Sequence, residues 1–471
     1  MAQLGQDEWV AQSGERRDRG TGLRGRLARA GDRVGWWPRL AAVTLLGIVA
    51  GQFLTNVNVQ NIAFNSLLYA LLALGLNIAV GWAGLLDLGY IAFFGFGAYG
   101  YAVLSSSPPA GSGGHHLPAI ESIPIVLLVA GVVGVVIGLI GLRLAGDYLA
   151  IVTLFVGQAF VEFVNNVDTH TLGGVNGLFG LDQLHSFSLS VSSPITYYYV
   201  ALAATALVAG ILHLLDTSRT GRAWRALRDD PLAAAAMTIP VNKLKVMAFS
   251  FGAIVGALAG TLFAAETSTV FPTNFTANIL ILIYACLVLG GVGSIAGAIL
   301  GGVVVTVMEQ MLSSPTDAGY LFYGLILLAL IVKIRPWRRL GAMLAGIVAL
   351  GFAAHAIVGA ISSSAVAGSP GSTGWIGSAV NGWVIVPSNA ATFGNVLFVV
   401  LVCALVAIVR LEGIRRLLVV VPTVYIAACC WESRLIVNPA ITTQIMIGAV
   451  LIVTMAARPN GLLGSRRVEL I

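Results

Sequence analysis

Fourteen apolar runs divide this chain, near residues 40–56, 60–81, 85–104, 123–142, 147–165, 194–215, 244–265, 276–291, 293–312, 318–334, 341–361, 392–409, 416–431 and 440–457. A helix needs about 20 such residues to cross some 30 Å of hydrocarbon. Within a bilayer every backbone N–H and C=O must find its partner in the protein, which for runs of this length leaves a helical bundle. The sequence therefore reads as all-α, a polytopic membrane protein of about fourteen transmembrane segments with one short helical loop between spans. Only 10% of its 471 residues are charged, far below the roughly 25% of soluble domains.

The few charges fix an orientation. With the N-terminus in the cytoplasm, 25 of the 26 Lys and Arg residues fall on the inner side and Arg434 alone falls outside, as the positive-inside rule requires. Both termini are expected to be cytoplasmic in a multi-pass protein of the cell membrane. The Arg-rich tail 1–39 is too long for a signal n-region and no Ala-x-Ala site follows it, so the first span is expected to be retained. Because the basic residues flank spans, the net charge of +6 signals topology and lipid contact, and no nucleic-acid partner is expected. The connections 105–122 and 362–391 are Ser/Gly/Pro-rich and outer. Cys286, Cys403, Cys429 and Cys430 all lie in apolar runs, as small core residues do.

One connection is different in kind. Between Asp216 and Lys243, Arg219, Arg222, Arg225 and Arg228 recur every three residues, Asp229-Asp230-Pro231 breaks the pattern, and an Ala-rich stretch follows. The spacing predicts two short helices at the membrane surface, a form suited to docking another protein. The third apolar run is also unusual. Gly81-Trp-Ala-Gly-Leu-Leu-Asp-Leu-Gly89 opens it, and about fifteen apolar residues remain. Its glycines suit either close helix packing or a broken, path-lining segment, full or re-entrant. Asp87 must meet water, a partner or a helix end there.

The chain carries no engine. A phosphate-binding loop needs a Gly-Lys pair, and neither Lys243, Lys245 nor Lys333 follows a glycine. Asp87, Glu162, Glu266 and Glu309 are too few and too peripheral for a proton-driven carrier. His115-His116 sits in a Gly/Ser/Pro loop without further ligands, and His213 and His355 are isolated on apolar runs. Neither a metal site, a cofactor nor enzymatic activity is expected. A docking loop without an engine points to a subunit driven from outside.

These residues resemble the branched-chain amino acid ABC-importer permeases, in particular the M-type subunit of leucine/isoleucine/valine systems. The similarity lies in Leu74 to Tyr90 with Gly95-Phe-Gly-Ala-Tyr99, in Gly146 to Leu154 with Asn165-Asn166 and Gly173-Gly-Val-Asn-Gly177, and in Leu289 to Gly301. The loop Gly221 to Lys245 and the tail Arg458 to Gly464 add to it. The resemblance implies a permease core over 40–336, with a coupling loop at 216–243, and a C-terminal extension over 337–471. It implies a second permease subunit, ABC ATPase subunits below and an extracytoplasmic solute-binding protein above. It assigns ATPase coupling to Arg222, Arg225, Arg228, Asp229, Ala235, Ala236, Met237 and Pro240. Asn77, Gly84, Asp87, Gly95 and Gly97, with Gly290, Gly291 and Gly293, fall to the translocation path. Gly173, Gly174, Asn176 and Gly177 fall to contact with the binding protein. Thr238 stands where the family usually has glycine, and no acidic residue precedes Ala236-Met237. Importers of urea, short amides or sugars share the Gly-rich motifs, and a secondary transporter is the alternative outside the superfamily. Tyr323 to Pro336 and Ile447 to Pro459 look like two versions of one closing helix, with about a hundred residues between them.

The orientation is open to direct test. A cysteine placed at position 225 is expected to react with an impermeant maleimide only in inside-out vesicles, and labelling of intact cells would reverse the topology.

Overall fold

The computed structural model describes residues 35–105, 117–167 (except 143 and 145), 172–361 (except 187–188, 191–192, 314 and 334–336) and 382–464 (except 388, 411–412, 436–438 and 459–460). The tail to residue 34, His115-His116 and most of the 362–391 connection lie outside these. Each of the fourteen apolar runs carries a helix. The order is α1 (Trp36–Phe53), α2 (Val57–Leu76) continued by a π-helical turn at Asn77–Trp82, α3 (Tyr90–Ser105), α4 (Ala119–Gly141), α5 (Asp147–Asn166) and α6 (Pro194–Thr217). Two short helices, α7 (Arg219–Asp229) and α8 (Pro231–Ala236), precede α9 (Val241–Thr267), α10 (Ala277–Gly290) and α11 (Ile295–Ser313). Then come α12 (Pro315–Lys333), α13 (Trp337–Ile361), α14 (Ala390–Arg410), α15 (Gly413–Leu435) and α16 (Pro439–Ala457). Among the described residues, eight helical stretches are long and apolar enough to cross a membrane, and five more apolar helices are shorter.

The chain forms two compact units: residues up to 287 with 292–299, and 288–291 with 300 onward. In the first unit α2 and α9 are the most buried spans, and α9 runs along both α3 and α4. Small residues permit this. A Cβ on Gly97 would strike the Ala257 backbone, and one on Gly260 would strike the Phe94 carbonyl. With no hydrophobic drive between helices in lipid, such close backbone contact supplies the dispersion energy that holds them. The outer helices present Leu128, Val132, Val136, Phe155, Leu207 and Leu214 outward, as lipid-facing spans must.

Helix α3 has 16 residues, about 24 Å at 1.5 Å per residue, too short to cross alone. It starts beside Thr153, two turns into α5, where Leu88 N donates to Thr153 Oγ1 at 3.0 Å. It ends where the Tyr101 hydroxyl donates to the Asp182 carbonyl at 2.7 Å, in the connection after α5. The non-helical residues 83–89 supply the missing depth. At that far end two-residue strands β1 (Leu178–Phe179) and β4 (Thr269–Val270) pair antiparallel, Leu178 opposite Val270. A second small pair joins β2 (His185–Ser186) to β3 (Leu189–Ser190).

In the second unit α14 and α15 lie along one another, with Val384, Val386, Tyr425, Ala428 and Cys429 at their core. Leu330, Leu340, Met343 and Ile347 form another cluster. The chain then returns to the end of α10. Leu462 N donates to the Leu289 carbonyl and Leu463 N to that of Gly290, both at 2.9 Å. A chain ending after Leu340 would lose this pairing.

The α3–α9 contact carries a measurable cost for added bulk. Gly260→Val is expected to lower the melting temperature of the detergent-solubilised protein, at the scale of about 1–3 kcal/mol for overpacking, while Ala259→Gly leaves the crossing intact.

Candidate functional site

The site is built where α2 ends. A helix leaves its last carbonyls without successor amides, and here the pairing widens first: Ala83 N donates to the Ile78 carbonyl at 3.1 Å and Leu85 N to that of Ala79 at 2.8 Å. The Gly81 carbonyl accepts instead from Arg228 Nη1 of α7. Gly84 has φ +69°, and a Cβ there would lie 2.8 Å from Arg228 Cγ. Only glycine accommodates both the backbone and the arginine stem. Asn77, fully buried, accepts from Gly293 N at 2.8 Å through Oδ1. Trp82 Nε1 donates to the Gly293 carbonyl at 3.2 Å. Thus Asn77, Gly84, Gly293 and Arg228, distant in sequence, converge.

Asp87 is 2% exposed and finds its partner locally, its Oδ1 accepting from Gly89 N at 2.9 Å. Its carbonyl accepts from the Tyr284 hydroxyl at 2.7 Å. Leu88 N, Gly89 N and the Asp87 carbonyl each find a partner within the protein, the condition under which non-helical backbone is tolerated at membrane depth. Gly95 and Gly97 are buried against the Phe160 ring and the Ala257 backbone, so they serve the packing of α3. Gly290 and Gly291 belong to the second unit, where the 461–463 segment lies against them.

The helical pair α7–α8 is well capped. Ser218 Oγ accepts from Thr220 N and Gly221 N at 3.1 and 3.3 Å. Asp230 Oδ1 accepts from Leu232 N and Ala233 N at 2.8 and 3.1 Å, with Pro231 opening the helix. Trp224 is fully buried, donates through Nε1 to the Leu244 carbonyl at 2.9 Å, and stacks on Trp82 with ring centroids 6.1 Å apart. Three of the four arginines bond within this chain. Arg225 pairs with Asp216 at 2.5 Å, Arg222 Nη1 donates to the Thr217 carbonyl at 2.8 Å, and Arg228 turns inward. For Arg222 and Arg225 the cause is the negative carbonyl end of α6, which α7 follows directly. The outward face of α8 is small or apolar. Leu232 is 83% and Met237 75% exposed, beside exposed Ala235, Ala236 and Pro240, with Asp229 also exposed.

At the opposite end, Gly173, Gly174 and Gly177 are buried scaffold around a 3₁₀ turn, Gly174–Asn176. The exposed groups are Asn176, Val175 and Phe179, the last edge-on to Phe271 at 5.0 Å. Phe179, Trp82 and Trp224 carry no assigned role in the sequence reading. Two tryptophans with glycines beside one of them were the available signal. His213 stacks on Trp36 at 3.9 Å, and His355 Nδ1 lies 3.2 Å from the Val384 carbonyl. Among the described residues no three His, Cys, Asp or Glu side chains converge as metal ligands would. The site is a set of surfaces and a linkage.

The sequence profile described as branched-chain amino acid transport system / permease component matches residues 58–331. The chain belongs to this family. It is 34% identical over 330 residues to the high-affinity branched-chain amino acid transport system permease protein LivM of Escherichia coli K12, covering 65% of this chain and 75% of the relative. It is 25% identical over 279 residues to the permease protein LivH of the same-named system in Salmonella typhimurium, covering 56% of this chain and 89% of that one. The autoinducer 2 import system permease protein LsrC of Yersinia pseudotuberculosis is 31% identical over 155 residues, 30% of this chain and 44% of the relative. No solved structure matches.

The departure at Thr238 has a conformational counterpart. Its φ is +62°, a region costly for a β-branched residue. Thr238→Gly is expected to stabilise the α8 terminus by about 1 kcal/mol, read as slower proteolysis at 237–240; unchanged or faster cleavage contradicts the strain.

Proposed function

We propose that this permease carries branched-chain amino acids as one subunit of an ABC importer, paired with a second permease and driven by separate ATPase subunits. The observation that carries this reading is the α7–α8 pair. It offers an outward face of Leu232, Ala235, Ala236 and Met237, while its inner face is tied to the broken span through Arg228 and Trp224. A chain without a phosphate-binding loop gains from such a device only if another protein seats on it. The ATPase is that protein, and its closure shifts α7–α8 as a rigid body between packed states.

The orientation follows from the same contacts. The break after α2, the α7–α8 pair and the 292–294 turn meet at one end of the first unit, and the charge distribution assigns that end to the cytoplasm. Asn176, Val175 and Phe179 at the opposite end then meet the solute-binding protein, which supplies most of the selectivity. The path runs past Asn77, Gly84, Asp87 and Gly293, beside the wall that Gly95 and Gly97 pack. Similarity to an autoinducer 2 permease supports common mechanics for different cargo, so substrate is assayed separately with leucine, isoleucine and valine.

Replacing Ala235 and Ala236 together by Glu is expected to leave membrane insertion intact while abolishing ATPase co-purification and ATP-driven uptake. Normal binding and uptake by that variant would make the loop an ordinary turn.

A further inference from the structure

We propose that Arg228 is a removable clasp that sets the hydrogen-bond register at the end of α2, so that displacement of α7 converts the break between two defined states. This rests on the reading of α7–α8 as the ATPase-docking element and names how that element acts on the path.

The pairing at the break has an alternative written into it. In a continuing α-helix Leu85 N would donate to the Gly81 carbonyl, four residues back. It donates instead to Ala79, six back, while Ala83 N donates to Ile78, five back. Arg228 occupies the acceptor that Leu85 has left. Withdraw the guanidinium and the Gly81 carbonyl is buried without a donor, a costly condition. The amide that can repair it is Leu85 N, through a return to α pairing that lengthens α2 by about one turn. π-bulges are suited to such shifts because they hold one residue more than the α-turn they replace. Gly84 permits it, since its φ of +69° can become negative at no steric cost.

Both states have a mechanical output. Asn77 and Trp82 grip Gly293 by its N–H and its carbonyl, and both sit on the turn that would rewind. Asp87 and the start of α3 follow directly in the chain. The input is as specific. Trp224 stacks on Trp82 and is anchored on Leu244 at the start of α9, so α7 can slide on the aromatic contact while the directional arginine bond breaks. Arg228 is a positioning residue; it acts on the path through Gly81.

The test uses the full importer, with ATPase and binding protein, in proteoliposomes. The readout is leucine transported per ATP hydrolysed, together with amide exchange of the 77–88 segment with and without a non-hydrolysable ATP analogue. Wild type is expected to change exchange at 83–85 on addition of the analogue. Arg228→Met is expected to assemble with the ATPase, to lose the nucleotide-dependent exchange change, and to transport roughly tenfold less per ATP, the scale of one charged hydrogen bond. Arg228→Lys, which keeps a donor, is expected to restore part of both. Should Arg228→Met fail to assemble, Gly84→Ala decides by the same two readouts, because it removes the berth of the arginine stem and leaves the guanidinium. Normal transport per ATP and a normal exchange change in the deciding variant overturn the clasp while leaving the docking reading in place. A wild-type chain that does not bind the ATPase overturns the docking reading itself.

Discussion

Unpaired backbone is the quantity this structure has to manage. Helices α2 and α3 are joined within the protein by residues 83–89, which have no helical ladder of their own. Leu88 N turns to Thr153, Gly89 N to Asp87, and the Asp87 carbonyl to Tyr284, each partner on a different element or in the turn itself. In lipid an unsatisfied group costs several kcal/mol, so these three bonds oblige α3, α5 and α10 to meet at one level. The glycine contacts that bring α3 onto α9 are the packing side of the same requirement.

This bears on how a break can be both stable and movable. A segment that takes part of its pairing from neighbours depends on where those neighbours are, unlike a helix, which carries its own partners. Arg228 differs from the other donors in kind, a long side chain reaching in from a short helix whose outward face is open. The remaining donors come from spans fixed on several sides. A displacement of α7 is therefore felt first at the Gly81–Leu85 turn.

The sequence made the spans legible because lipid imposes a single strong rule on composition, and every expected run carries a helix. The two-helix loop was legible for an equally local reason, Asp230-Pro231 acting as cap and first residue. What could not be seen were the directions of side chains. A three-residue spacing of arginines describes a face but not whether it looks out: Arg222 and Arg225 bond back to the carbonyl end of α6, and Arg228 turns to the Gly81 carbonyl after α2. The stacking of Trp82 on Trp224 and the hold of Asn77 on Gly293 join positions more than 140 residues apart, with no periodic signal to announce them. Glycines 95 and 97 suited both packing and path lining in the sequence, and only their neighbours Phe160 and Ala257 show what each meets.

The pairing of Leu462 and Leu463 with Leu289 and Gly290 also sets an order of events during synthesis. The receiving carbonyls emerge from the ribosome about 170 residues before their donors, with six helices from α11 to α16 still to be made. Throughout that interval the end of α10 is an open acceptor edge, so the second unit reaches its final form only after the last helix has entered the bilayer. A translation pause or a premature stop within α13 to α16 would therefore leave a partly inserted and unlatched intermediate, the species that membrane quality-control proteases would be expected to meet.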